Sequence, residues 1–111
     1  MIAGLLLLAA TAAAPAQSPT RPGPQEHAAA VFRQVCTSCH GPAGWATRTL
    51  ARRMPADQAL LANRRDLTPD YLRAVVRGGI GSMPRFTPTD LSDAEITALA
   101  AWLASPNGAR K

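Results

Sequence analysis

The sequence predicts an all-α fold of three to four helices. Apolar residues recur at helical spacing in three separate segments, two of those segments open on N-capping signals, and no stretch alternates polar and apolar residues as a half-buried strand would. Residues 26–105 make up the expected folded unit, preceded by a leader over 17–25 and followed by a short tail over 106–111.

The first helix is expected from residue 26 to about residue 36, where Ala28, Val31, Phe32 and Val35 form one apolar stripe. A weaker helical turn is expected over residues 55–62, with Ala59, Leu60 and Leu61 to pack. Thr68-Pro69-Asp70 then reads as a helix start, with a hydroxyl at the N-cap, Pro at the first helical position and an acid in the first turn. Leu72, Val75 and Val76 give that helix its buried face, and Gly78-Gly79 ends it. Ser92 and Glu95 form a capping box ahead of Ile96, Leu99, Trp102 and Leu103, and Pro106 and Gly108 close the last helix. Two segments between helices are expected to be irregular, GPAGWATRTLARRMP over 41–55 and GGIGSMPRFTP over 78–88. Long loops in so small a unit are usually functional or ordered by a ligand.

Residues 1–16 read as an export signal, because 2–14 are uniformly apolar or small and Ala14-Pro15-Ala16 is a small-x-small cleavage signature. The run is too short to span a bilayer comfortably, so no stable membrane span is expected after cleavage. The expected location is the periplasm, an oxidising compartment. Residues 17–25, QSPTRPGPQ, have little to bury and suit a flexible leader. The remaining unit of about 80 residues has a size at which a hydrophobic core alone is marginal and a metal, staple or cofactor is commonly needed. The net charge of +5 comes from 12 basic against seven acidic residues, all beyond residue 16. Scattered arginines and few aromatics argue against a nucleic-acid partner, and steering toward an acidic protein patch is the expectation.

The chain has two cysteines, both in CTSCH at residues 36–40. A disulfide between Cys36 and Cys39 would close a very small loop and stabilise little. A tetrahedral zinc site needs four ligands, and His27 is not in a finger spacing. A thioredoxin-like dithiol belongs to a βαβ context that an all-α chain lacks. The fourth reading is haem attachment. In CxxCH two thiols add to the haem vinyl groups and the adjacent histidine ligates iron. Cys36 and Cys39, one helical turn apart, can reach two edges of a porphyrin while His40 projects toward the metal.

With CTSCH near its start, GIGSMPRF two-thirds of the way along and an aromatic-bearing last helix, the chain resembles class I monohaem c-type cytochromes over residues 26–103. The resemblance implies a cytochrome c-like fold, three to four helices wrapped around one haem c held by two thioether bonds. It also implies that the first helix crosses the last, with Phe32 and Ala28 against Leu99 and Trp102.

Haem iron with one histidine needs a second axial group or keeps an open site. Met83, Met54 and His27 are the candidates. Met83 sits in Gly-Ser-Met-Pro on a glycine-rich loop able to fold over a flat macrocycle, far enough from His40 to return on the other face. Met54 also precedes a proline but follows His40 closely and suits core packing, and His27 suits a helix surface. The expected cofactor-binding set is therefore Cys36, Cys39, His40 and Met83, with His40 and Met83 on the metal. In the family the other ring nitrogen of the histidine meets a proline carbonyl, often in Pro-x-Leu; here the comparable place reads Arg48-Thr49-Leu50, without that proline. Arg48, Arg52, Arg53 and Trp45 are candidate partners of the haem propionates.

No acid/base pair or nucleophile stands out, so the expectation is an electron-transfer protein and not an enzyme. DLTPDYLRAVVRGGIGSMPRF resembles small cytochrome subunits or partners of periplasmic dehydrogenases. The expected partners are a dehydrogenase as donor and an oxidase or another cytochrome as acceptor. The alternative is a haem-based sensor or peroxidase-like protein with a labile sixth ligand.

Overall fold

The computed structural model describes residues 21–105 together with 13, 14, 16 and 18. Most of the expected export signal, and the tail with Pro106 and Gly108, lie outside the described residues. No helix among the described residues is long and apolar enough to cross a membrane.

The described residues are helical and hold no strand, as the all-α reading requires; the sole β feature among them is an isolated bridge between Ile80 and Met83. Helix α1 spans Pro24–Val31 and starts two residues before the expected boundary. Gly23 takes an extended conformation and its carbonyl accepts from His27 N–H at 2.9 Å, while Pro24 occupies the first turn, where a missing N–H costs nothing. The chain does not leave the helix at Cys36. It runs through a π-helical turn, Phe32–Cys36, into α2, Thr37–His40, so the whole CTSCH motif is helical.

The segment expected to be irregular over 41–55 contains a helix, α3, Trp45–Leu50. Its residues lack an apolar stripe and include two threonines, which compete with helix by bonding to nearby backbone, so the sequence carries little helical signal. The structure turns that tendency to use: Thr47 is buried and its hydroxyl donates to the Gly41 carbonyl at 2.8 Å, locking the turn that leads into α3. The weak turn expected over 55–62 appears as α4, Ala56–Ala59, followed by a 3-10 turn, Leu61–Asn63.

Both capped helices form as read. In α5, Pro69–Gly78, the Thr68 hydroxyl accepts the Tyr71 N–H at 3.2 Å. In α6, Asp93–Ala104, both arms of the capping box close: Glu95 N–H donates to Ser92 Oγ at 3.2 Å and Ser92 N–H to Glu95 Oε2 at 2.8 Å.

Helices α1 and α5 both pack on α6. Ala28, Val31 and Phe32 meet Ile96, Leu99, Trp102 and Leu103 in one cluster that Leu72, Val76 and Leu91 complete. The Phe32 and Trp102 rings lie 4.9 Å apart at 43°, within the range of favourable aromatic pairs. Val35, Leu61, Leu67, Met83 and Phe86 border the cluster and are only partly buried. The core is therefore finished on one side and open on the other.

Candidate functional site

The open side is a cavity of about 590 Å³, inside the ~300–1,000 Å³ span usual for cofactor sites. No residue of α1 or α6 lines it. Leu50, Leu61, Leu67, Leu72 and Val75 give it an apolar interior, and Cys36, Cys39 and His40 enter it from the motif. Ile80, Met83, Pro84 and Phe86 enter it from the glycine-rich loop, so all four expected cofactor-binding residues line one cavity.

The π turn brings the motif there. The Phe32 carbonyl takes the Thr37 N–H, five residues on, together with the Thr37 hydroxyl at 3.2 Å. This wider turn resets the helical register between Phe32, which faces the core, and Cys36, which faces the cavity. Such turns are frequent at functional sites. Both cysteines are free thiols, and burial, helped by the neighbouring Cys39, pushes the Cys36 thiol up to about 11. A reactive dithiol needs the opposite shift. Among the described residues no three His, Cys, Asp or Glu side chains gather around a common point, so a zinc-type site is not assembled.

Burial lowers the pKa of His40 and keeps its ring neutral, with one lone pair for a metal. His40 Nδ1 is buried with no hydrogen-bond partner among the described residues. Buried polar atoms are rarely left so. A neutral, incompletely bonded imidazole beside two free cysteines, a thioether and an apolar cavity makes a donor set that fits haem c.

The loop that carries Met83 is a tight two-residue turn. Met83 N–H donates to Ile80 O at 2.9 Å and Ile80 N–H to Met83 O at 3.3 Å. Gly81 has φ 55 at the first central position and Ser82 does not have positive φ, the pattern of a II′ turn. The other ligand candidates lie elsewhere. Met54 is not in the cavity wall, and its sulfur sits 3.9 Å from Arg64 Nη1. His27 is on α1, 3.4 Å from Glu95.

The four propionate candidates separate as well. Trp45 and Arg53 line the cavity, whereas Arg48 and Arg52 do not, and Arg48 donates to the Ala43 carbonyl at 2.8 Å. Arg64, which the sequence did not single out, also lines it but is held by Asp66 through two bonds of 2.6 and 2.7 Å. Tyr71, Leu67 and Phe86 were not foreseen either. The one available signal was the α5 stripe, of which Val76 faces the core, Val75 the cavity and Leu72 both.

A family model described as cytochrome c oxidase, cbb3-type, subunit III matches residues 23–103. The chain belongs to this family of c-type cytochrome domains. The match covers α1 to α5 and all but the last residue of α6, and with them the motif and the Met83 loop. No curated protein and no solved structure matches the chain. The family assigns the cytochrome haem c as its cofactor, electron transfer as its activity and redox proteins as its partners, and its members typically work outside the cytoplasm.

Proposed function

We propose that the cytochrome binds a single haem c through thioether bonds from Cys36 and Cys39, with His40 and Met83 as the axial ligands. We propose further that it carries single electrons in the periplasm from a dehydrogenase to a respiratory acceptor. The observation that carries the reading is that these four side chains line one apolar cavity while Met54 and His27 lie outside it. When bound, haem supplies the Fe(III)/Fe(II) couple.

The chain's own residues tune and shelter that couple. The Met83 thioether is a soft, neutral donor that favours the ferrous state and so raises the potential. Leu50, Leu61, Leu67 and Val75 exclude water, which disfavours added charge at the centre. Arg53, whose guanidinium has no partner among the described residues, is placed to hold a propionate. With His40 and Met83 both engaged, no position is left for a substrate, which separates an electron carrier from a sensor or peroxidase. Trp45, Tyr71 and Ile80 are cavity residues that are more than half exposed, so the cofactor's edge would come within reach of a partner there. The net charge of +5 favours an acidic partner surface, and the family's description as an oxidase subunit supports a terminal oxidase on the acceptor side.

The test is spectroscopic, on protein exported by a host that attaches haem. A pyridine haemochrome spectrum of two-thioether haem c is expected, with a weak near-infrared sulfur-to-iron band in the ferric protein and no carbon monoxide binding in the ferrous one. Met83→His is expected to keep the haem attached, abolish that band and lower the potential by a substantial part of the roughly 0.8 V that axial ligands span. Carbon monoxide binding by the unmodified ferrous protein would favour the sensor or peroxidase reading instead.

A further inference from the structure

The Met83 loop leaves α5 and returns to it within a few residues. Gly79 N–H donates to Val75 O at 2.8 Å on the way out, and Phe86 N–H donates to Val76 O at 2.9 Å on the way back. Arg77, near the end of α5, joins this return to a second helix. Its Nη1 donates to the Phe86 carbonyl at 3.0 Å and its Nη2 to Asp93 Oδ1 at 2.7 Å. Its own carbonyl accepts Arg85 Nε at 3.3 Å. Asp93 is the first residue of α6, where a carboxylate is favoured by the helix dipole.

We propose that Arg77 is a positioning residue for Met83, and that its fork across Phe86 and Asp93 sets how firmly the sulfur holds the sixth position. The inference rests on Met83 being the axial ligand. A backbone excursion of the loop that swings the sulfur away moves the returning segment at Phe86, and that segment is tied through a planar, charged fork to the start of the most buried helix. Charge-assisted bonds of this kind are about twice as strong as neutral ones. A lysine can replace the charge but not the fork. Arg73, one turn earlier, supplies the contrast: it reaches Asp93 at 3.9 Å and Thr97 Oγ1 at 3.1 Å, and these contacts tie helix to helix without touching the loop.

The experiment measures cyanide association with the ferric holoprotein, a reaction gated by release of the methionine, alongside the near-infrared band. Arg77→Met is expected to speed association by about tenfold, the equivalent of one lost bond to a charged group, and to weaken the band. Arg77→Lys should recover part of the effect, Asp93→Asn should give a smaller increase, and Arg73→Met should match the unmodified protein. Unchanged association in Arg77→Met, even with a lower melting temperature, would show Arg77 to be structural only. An equal increase in Arg73→Met would show general loosening and also overturn the proposal. If Arg77→Met does not accumulate folded, Arg77→Lys and Asp93→Asn decide, and unchanged association in both overturns it. Absence of the band from the unmodified protein would instead remove Met83 as the ligand, a separate failure.

Discussion

Gly79 adopts φ 71 and ψ 167, a region that side chains other than hydrogen cannot enter without strain of about 1–3 kcal/mol. A Cβ at this position would stand 2.8 Å from the Met83 carbonyl oxygen, so alanine would strain its own backbone and press on the residue that carries the thioether. Gly79→Ala is therefore expected to lower stability by at least that amount and to weaken the near-infrared band; thermal melts and ferric spectra check both. At this scale the sequence was most informative where residue type and spacing are themselves chemistry. CTSCH and the glycines around Ser82-Met83 were legible for that reason. No partner for the His40 ring was legible, and the structure leaves Nδ1 unpaired among the described residues. Met54 and Met83 share a following proline, and the glycine-rich loop around Met83 and their distances from His40 hinted at the division that the cavity wall makes.

The crossing of α1 with α6 depends on Phe32, 6% exposed, lying against Trp102. Phe32→Ala is expected to cost about 3–5 kcal/mol, measured by denaturant unfolding of the holoprotein. Helix α6 adds a pH dependence through its cap. Hydrogen bonds from the Ser92 backbone and side chain hold the Glu95 carboxyl below its usual value, with His27 adding to the effect, and Arg77 does the same for Asp93. Since the folded-state values lie below the unfolded ones, the stabilisation is complete above the ordinary carboxylate range and is lost as pH falls through the lowered values. Ser92→Ala should cost about 1 kcal/mol near neutrality and flatten the acid limb of a stability–pH curve; a limb unchanged in shape would assign the acid sensitivity to other carboxylates. These elements were readable because caps announce themselves: Thr68-Pro69-Asp70 and Ser92-x-x-Glu95 fix helix starts through local hydrogen bonds. Helix α3 and the π turn were hidden because individual hydrogen bonds, and not an apolar stripe, shape them. The first depends on the buried Thr47 bond to Gly41, and the second on the bonding of the Phe32 carbonyl to Thr37.

Among the described residues, the three longer helices place their best apolar residues in one cluster, while Val35, Leu50, Leu61, Leu67, Val75, Met83 and Phe86 are partly buried side chains that line the cavity. A single core in a folded unit of about 80 residues rarely supplies more than about 3–5 kcal/mol, and here that core is open along one flank. Filling the flank with a large planar apolar group would bury Leu50, Leu67 and Val75, and attachment at Cys36 and Cys39 would make the gain independent of concentration. The fold and the cofactor are then one cooperative unit, and the short helices α2, α3 and α4 should be its most dependent parts. A Cys36→Ala/Cys39→Ala double variant, made without attached haem, is expected to lose most of its helical circular dichroism and its cooperative melt, whereas the unmodified holoprotein keeps both. Hydrogen exchange can divide the outcome further, since residual protection should be confined to α1, α5 and α6, where the side chains still meet. A cofactor-free chain that melted sharply with α2 and α3 protected would show that the protein core alone holds the cavity open.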